Sequence, residues 1–286
     1  MQTPARPPAT PRLAPAWWPF CSAITGLAIT GLAATGLAVT ILGCTSDPAR
    51  GSAPADVRFA ADAGAVSLFN GTDFTDWDRY LGKPSNAEPA LGLDHDPSGV
   101  YSVVMLDGEP AIRISGEVWG ALISQRELGD FHLRAEYKWG TLSWPPLNFL
   151  DSGIMYLSSG PLGAVNAGGP ALSDPIGSGA FLVSMEYQVR PGDIGGSYNL
   201  GPISFQAAPR RPLPDHPDDW NQIDIVFQSG IAQHFLNDEL VAGGSDFQLE
   251  WPDQPVAPIE RGKLQIQSEG GEIYYRHIEL VPLPKD

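Results

Sequence analysis

The sequence predicts an all-β domain built as a jelly-roll β-sandwich of two antiparallel sheets. Short segments with alternating apolar and polar residues recur along the chain, and no segment beyond the N-terminal leader has the apolar spacing of an amphipathic helix. The 32 glycines and 28 prolines suit many strands joined by turns. Ten or so strands imply two packed sheets. The predicted strands are Gly99–Leu106, Ala111–Ser115, Ala121–Ser124, Gly129–Trp139, Ser152–Leu157, Phe181–Arg190, Gln222–Gln228, Gln233–Asn237, Lys263–Glu269 and Ile273–Leu280.

The N-terminal leader has the pattern of an export signal. Arg6 and Arg12 precede an apolar run that contains no charged residue up to Thr45. The run ends in Ile41-Leu42-Gly43-Cys44, which resembles a bacterial lipobox. We therefore predict a signal peptide over residues 1–43, a lipid on Cys44 and a location in the bacterial cell envelope, in the periplasm or at the cell surface. An uncleaved anchor is the alternative, because the run is long enough to span a bilayer. Its regularly spaced glycines weaken a helix and favour cleavage.

The composition of the chain after the leader limits its organisation and its partners. Residues 44–64 are rich in Ala, Asp, Gly, Ser and Pro and are predicted to form a flexible tether to a folded domain over residues 65–286. Cys21 lies in the leader, so the folded domain is expected to hold no disulfide. The formal net charge of -16 would repel phosphate backbones. We therefore expect no nucleic-acid partner, and membrane contact only through the lipid.

Two predicted strands combine an apolar face with a polar one. Side chains of a strand alternate between its faces, and one face of the first strand is a core row: Phe181, Val183, Met185, Tyr187 and Val189. Its other face carries Leu182, Ser184, Glu186, Gln188 and Arg190. The segment Lys263–Glu269 likewise places Gln265, Gln267 and Glu269 on one side. Amides beside a carboxylate suit the hydroxyl groups of sugars. An ordinary solvated outer face is the alternative.

Seven segments follow one another as in a known family of domains. They are Leu68–Trp77, Gly129–Tyr137, Asp151–Ile154, Glu186–Gln188, Trp220–Asn221, His234–Asn237 and Gly262–Ile278. In this order they resemble the 3-keto-disaccharide hydrolase domain family, long catalogued as a domain of unknown function. The resemblance covers about residues 66–280 and implies a concanavalin A-like jelly roll, in agreement with the strand pattern. The chain departs from the family pattern at Asp151, Glu269 and His277, where asparagine, histidine and asparagine are usual.

The resemblance implies that the substrates are glycosides oxidised at C3. A ketone at C3 acidifies the proton on C2, and a base that removes this proton generates an enolate. The enolate then expels the anomeric oxygen, and addition of water completes a net hydrolysis. Such a site needs a base, a group that holds the enolate oxygen and an acid for the leaving group.

Roles for individual residues follow from the strand pattern and the resemblance together. We expect Glu186 to be the base and His234 to be the acid for the leaving group. The remaining candidate residues are expected to bind the substrate: Gln188, Arg190, Gln267, Arg276 and Asp151. For Arg276, an ion pair with Glu186 is an equal alternative.

No cofactor is predicted from the residues. The five histidines show no paired ligand spacing, and a lone histidine is usually structural. The resemblance leaves open a divalent cation held by the oxygens of Glu186 or Asp151. Two other functions also stay open. A two-carboxylate glycosidase is the weaker one, because no closely spaced acid pair lies on a strand. A non-catalytic carbohydrate-binding β-sandwich at the cell surface would keep the polar face without needing a tuned carboxylate.

Overall fold

Strands and turns make up the part of the chain that the computed structural model describes, namely Phe59 and residues 64–85, 87–145, 148–165, 179–252 and 254–285. Seventeen strands, numbered here in chain order, lie within these residues. No described segment forms a helix with the length and apolar character needed to cross a bilayer. The predicted signal peptide and Cys44 lie outside the described residues, as does the predicted tether apart from Phe59 and Gly64.

The larger sheet contains ten strands. In chain order they are β1 (Val66–Ser67), β4 (Tyr101–Leu106), β5 (Glu109–Ile114), β7 (Phe131–Ser143), β11 (Ile203–Ala207), β12 (Asn221–Gln228), β13 (Ile231–Leu236), β14 (Glu239–Leu249), β15 (Ala257–Pro258) and β17 (Gly271–Pro282). Their order in space is β11-β14-β13-β12-β7-β17-β5-β4, with β1 paired to β17 and β15 paired to β14. Strands that are distant in the chain are neighbours in this sheet. For example, β7 lies between β12 and β17.

The smaller sheet contains seven strands. They are β2 (Trp77–Leu81), β3 (Gly92–Leu93), β6 (Gly120–Ser124), β8 (Ser152–Ser159), β9 (Val183–Val189), β10 (Ser197–Leu200) and β16 (Lys263–Ser268). Their order is β10-β9-β8-β16-β6-β2-β3. Neighbouring strands in both sheets run antiparallel, and the chain crosses repeatedly between the sheets. The predicted all-β jelly-roll sandwich is confirmed.

Aromatic side chains fill the space between the sheets. Tyr156 of β8 contacts Phe131 of β7, with ring centroids 6.4 Å apart, and Tyr187 of β9 donates its hydroxyl to the carbonyl of Phe235, 3.0 Å away on β13. The largest fully buried side chains include Tyr137, Tyr156, Tyr187, Tyr275, Phe131, Phe181 and Phe227. Burying each contributes about 1.5–3 kcal/mol. This core fixes which face of each strand points inward.

All ten predicted strands are present, with ends shifted by a few residues. Tight two-residue turns join β12 to β13 and β13 to β14. Ser229 and Gly230 have φ of 50° and 77°, and Asn237 and Asp238 have φ of 49° and 66°. Two successive left-handed residues are the mark of tight hairpin connections, for which these residue types are suited.

Several strands were not predicted, among them β10 and β14. Residues 191–202, where no strand was predicted, contain the edge strand β10, which pairs with β9. Only Leu200 of its four residues is buried, and the apolar alternation of so short a segment hardly distinguishes a strand from a loop. The strand β14 contains Gly243-Gly244, which usually indicate a break. Here the glycine is required, because a Cβ at Gly243 would lie 2.3 Å from the carbonyl oxygen of Ala232.

Replacing Gly116 should test a close contact between the connection from β5 to β6 and the connection from β16 to β17. Gly116 has a φ of +81°, its carbonyl accepts from the amide of Gly270 at 2.9 Å, and a Cβ would lie 2.4 Å from the carbonyl oxygen of Gly271. We expect Gly116→Ala to lower the free energy of unfolding by about 3 kcal/mol or more, measured by denaturant titration. Gly99→Ala is the control, because Gly99 has a φ of +68° with no atom within 4 Å, and should cost about 1 kcal/mol. Equal losses would contradict the role of the close contact.

Candidate functional site

Glu186 and Gln188 project from β9 on the outer face of the smaller sheet. Tyr187, which lies between them, points into the core, so its two neighbours point away from it. Both side chains are nevertheless buried, with Glu186 5% and Gln188 7% exposed. A carboxyl group and an amide therefore lie side by side, shielded from water, on the face that the sequence pattern predicted.

Gln267 lies close to Glu186 and Gln188, on the other side of Gly153. Gly153 of β8 is the register partner of Gln188, and the pairing of Ile266 with Ile154 places Gln267 on the other side of Gly153. A Cβ at Gly153 would lie 2.5 Å from Oε1 of Glu186 and 3.0 Å from Oε1 of Gln267. Because glycine has no side chain, both polar groups can lean over the backbone of β8 and meet there.

A second row of charged residues lies beside the first. Ser152 of β8 pairs with Val189 of β9, so Asp151 and Arg190, one residue further along, are neighbours. Arg190 Nη1 lies 3.6 Å from Asp151 Oδ2. Glu269 follows Gln267 by two residues and is buried at 7% exposure. We call Asp151, Glu186 and Glu269 the acid cluster. The structure thus brings together five of the predicted site residues: Glu186, Gln188, Arg190, Gln267 and Asp151.

Four buried oxygens of this site have no hydrogen-bond partner among the described residues. They are Asp151 Oδ1, Glu186 Oε1, Gln188 Oε1 and Gln267 Oε1. An unsatisfied buried polar atom costs about 1–3 kcal/mol, and such atoms are rare in folded proteins. Their concentration on adjacent strands indicates a site built for a ligand that supplies several donors. Sugar hydroxyl groups are donors of this kind.

The acid cluster keeps protons at neutral pH. Burial, together with the charge of Asp151, raises the pKa of Glu186 to about 8. Burial raises the pKa of Asp151 to about 7, although Arg190 acts in the opposite direction. Burial and the other two carboxyls raise the pKa of Glu269 well above its ordinary value. Three acids face one cation, so full ionisation would leave uncompensated negative charge in a poorly solvated place.

His234 lies apart from this site. It is fully buried on β13, between the sheets. Its Nδ1 lies 2.9 Å from the carbonyl oxygen of Gly195 and its Nε2 3.0 Å from the hydroxyl of Tyr156, so Nδ1 donates and Nε2 accepts. Burial lowers the pKa of His234 to about 4, which leaves the ring neutral at physiological pH. The expected acid therefore lies on the inner face of the larger sheet, whereas Glu186 lies on the outer face of the smaller sheet.

Arg276 lies on the outer face of the larger sheet. Its Nε is 2.7 Å from Glu136 Oε2 and its Nη1 is 3.1 Å from Glu109 Oε2. The guanidinium also lies 4.0 Å from the ring centroid of Trp220. Its neighbour Tyr275 points into the core, where the Tyr275 hydroxyl lies 3.1 Å from Ser152 Oγ. Because side chains alternate along a strand, Arg276 points outward. Neither expectation for Arg276, substrate contact beside Glu186 or an ion pair with Glu186, fits its position.

Some residues of the site were not selected from the sequence. Glu269 was noted only as a departure from the family pattern, and its raised pKa depends on neighbours from other strands. Asp193 and Tyr198 lie where no strand was predicted, yet the pairing of Tyr198 with Glu186 and the ion pair of Asp193 with Arg190 place them beside the site. The alternation of Gly196, Tyr198 and Leu200 is the one sequence signal that could have revealed this strand.

The described part of the chain offers no recognisable metal site. No group of three or more His, Cys, Asp and Glu side chains there is arranged to hold an ion. The acid cluster contributes three carboxyls, but Glu269 stands where a histidine is usual in the resembling family. A cation at Glu186 or Asp151 stays an open alternative.

A model of one domain family matches most of the chain. The family is described as a 3-keto-alpha-glucoside-1,2-lyase-like domain, and the match spans residues 64–281. The chain belongs to this family. The resemblance inferred from the seven sequence segments is therefore confirmed. No curated protein matches the chain.

Solved structures with the same general architecture have low sequence identity to the chain. A provisionally assigned glycosyl hydrolase from Parabacteroides distasonis is 19% identical, with 80% of this chain and 99% of that chain covered and a TM-score of 0.49. A Bacillus subtilis protein of unknown function with a galectin-like fold is 12% identical, with coverage of 78% and 96% and a TM-score of 0.46. A Bacillus licheniformis beta-glucanase is 10% identical, with coverage of 77% and 99% and a TM-score of 0.40. The fold assignment rests on the topology of the two sheets.

The raised pKa values predict that stability falls as the pH rises. Because the folded state holds its carboxyl protons to higher pH than the unfolded chain, it binds more protons between about pH 4.5 and about pH 8. The free energy of unfolding should therefore decrease across this window. Glu186→Gln removes one of these groups and should reduce the decrease by on the order of 3 kcal/mol. Denaturant titrations at pH 5 and pH 9 measure the effect. An unchanged pH dependence in this variant would contradict the burial of the Glu186 carboxylate.

Proposed function

We propose that this domain cleaves 3-keto-glycosides by removing the C2 proton and eliminating the anomeric oxygen. The observation that supports the proposal is the position of Glu186. This carboxyl group is buried on the outer face of the smaller sheet, has a raised pKa and has an oxygen without a hydrogen-bond partner among the described residues. The name of the domain family refers to an activity on 3-keto-glucosides.

Glu186 acts as the base in this proposal. A carboxylate with an ordinary pKa near 4.5 is a weak base, and the raised pKa of about 8 makes its deprotonated form a stronger one. The C2 proton of a 3-keto-sugar is acidified by the adjacent ketone. Glu186 takes this proton, and the electrons of the C–H bond form the enolate, whose negative charge rests on the C3 oxygen.

Arg190 and the two amides hold the substrate and the enolate. Gln188 and Gln267 flank Gly153, and each has both an acceptor oxygen and a donor NH2 group for sugar hydroxyls. Arg190, whose side chain is 37% exposed, supplies the positive charge near the developing oxyanion. Donors and charges fixed before the reaction stabilise such an oxyanion more than mobile water does.

The acid cluster supplies the proton for the leaving group. Asp151, with a pKa of about 7, is protonated in part at neutral pH and has a buried oxygen without a partner among the described residues. It takes the role first expected of His234. As the enolate collapses, the C1–O bond breaks, the C1=C2 double bond forms and the departing oxygen receives the proton. Water added to this double bond completes a net hydrolysis.

Glu186→Gln should abolish elimination while leaving the fold intact. The amide has the size of the carboxyl but cannot accept the C2 proton, so we expect kcat on 3-keto-trehalose to fall at least about 1,000-fold. Sugar release measured by chromatography checks the result. Glu136→Gln is the matched control, because Glu136 lies on the outer face of the larger sheet beside Arg276, and it should retain the wild-type rate.

The same assay separates the competing functions. Intact trehalose should not be cleaved, because it lacks the ketone that acidifies C2. Cleavage of intact trehalose would favour a two-carboxylate glycosidase, and binding of either sugar without turnover by the wild-type protein would favour a carbohydrate-binding module. Turnover of 3-keto-trehalose by the Glu186→Gln variant would exclude Glu186 as the base.

The pH profile provides a second test of Glu186. Because Glu186 must be deprotonated and Asp151 must be protonated, kcat/KM should follow a bell-shaped profile with its maximum between about pH 7 and about pH 8. An ordinary glutamate as the base would give a profile whose rise is already complete at about pH 6. Initial rates on 3-keto-trehalose between pH 5.5 and pH 9.5 distinguish these outcomes.

A further inference from the structure

A connected group of polar and aromatic side chains borders the acid cluster at the β10 edge of the smaller sheet. It consists of Arg190, Asp193, Tyr198 and Arg210, and we call it the rim. Asp193 Oδ2 accepts from Arg190 Nη2 at 2.9 Å and from the Tyr198 hydroxyl at 2.8 Å, and Asp193 Oδ1 accepts from Arg210. Arg210 Nη1 also lies 3.3 Å from the Tyr198 hydroxyl. These bonds fix the four side chains in one arrangement.

The rim lies directly beside Glu186. Tyr198 is the register partner of Glu186 across the β9–β10 pair, and side chains of such partners project from the same face about 5 Å apart. Gly196, just before β10, leaves room for the rim residues to contact one another. A Cβ there would lie 2.8 Å from both Asp193 Oδ1 and Tyr198 Cε2 and 3.3 Å from Arg210 Cζ.

The rim is the exposed side of the site. The side chains of Arg190 and Arg210 are 37% and 36% exposed, and Tyr198 is 37% exposed. On the opposite side of Gln267, towards β6 and β2, Ala121 is fully buried and Tyr80 is 5% exposed. A sugar ring whose C2 lies at Glu186 can therefore extend its glycosidic partner past the rim, but not past Ala121 and Tyr80.

We propose that the rim is the binding subsite for a pyranose leaving group, the sugar unit on the far side of the bond that is cleaved. This inference rests on the proposed function and adds the residues that bind the leaving group, so that the rim should favour disaccharides over simple alkyl glycosides. The ring of Tyr198 offers an apolar surface to the C–H face of a pyranose. Asp193 and Arg210 offer an acceptor and donors to its hydroxyls, in positions fixed before binding.

The test compares two substrates that differ only in the leaving group. 3-keto-trehalose releases glucose, whereas methyl 3-keto-α-glucoside releases methanol and cannot contact the rim. In Tyr198→Ala, the ratio of kcat/KM for the disaccharide to that for the methyl glycoside should fall about 10-fold or more, because one ring contact is lost. Tyr198→Phe keeps the ring, so its ratio should change by less than about 3-fold.

Leu93→Ala is the matched control at the opposite edge of the same sheet. Leu93 on β3 is 50% exposed, so the variant also removes an exposed apolar side chain. It should leave the ratio unchanged. A fall of the ratio in Leu93→Ala would place the leaving group at the wrong edge for this proposal. Equal losses on both substrates in Tyr198→Ala would also overturn it, because the ring would then serve the reacting sugar or the fold.

Calorimetric titration with 3-keto-trehalose separates failure of the subsite from failure of the proposed reaction. If the wild-type protein cleaves neither substrate, the proposed reaction fails, and weaker binding to Tyr198→Ala than to wild type still supports the rim as a sugar site. Equal binding to both proteins, or no binding to either, overturns the rim proposal. Thermal unfolding of each variant confirms that the comparison is made between folded proteins.

Discussion

The burial of the Glu186 carboxyl on a sheet face that points away from the core is the constraint on which the site depends. Strand β9 has to place Tyr187 in the core, so Glu186 and Gln188 must face outward. An outward carboxyl would ordinarily be solvated, yet this one is 5% exposed. Its ionisation is therefore costly, and this cost raises its pKa. Gly153 completes the arrangement, because any side chain at that position would occupy the place that the carboxyl takes.

Local sequence patterns predicted the part of the site that depends on alternation along a strand. Glu186, Gln188 and Gln267 were predicted together because two segments showed amides and a carboxylate opposite apolar rows. Arg190 lies at the end of the first segment, whereas Asp151 was selected through the family resemblance. Those predictions needed no knowledge of which strands pair. The fold class could be predicted for the same reason, because repeated alternation without helical spacing leaves few architectures.

Sheet membership could not be predicted in this way, and His234 and Arg276 show the consequence. Alternation assigns each residue to a face of its strand, but whether that face points to the core or to solvent depends on the layer to which the strand belongs. His234 lies on the inner face of β13, and Arg276 lies on the outer face of β17. The edge strand β10 escaped prediction because a short strand with one buried residue differs little from a loop.

The composition of the acid cluster follows from the same constraint. Three carboxyls share the positive charge of Arg190, and Arg190 is itself bound by Asp193 of the rim. Asp193 thereby compensates part of the charge of Arg190, so full ionisation of the acid cluster would cause strong repulsion. The protons of the cluster are shared by its three carboxyls and do not belong to one residue. Such a group can hold a base and an acid at once, as elimination of a glycoside requires. Histidine in place of Glu269 would ionise in the opposite sense and remove one of the three negative charges. The glutamate found there thus strengthens the tendency of its neighbours to keep their protons. In the proposed reaction, carboxyl groups alone would then carry both proton transfers.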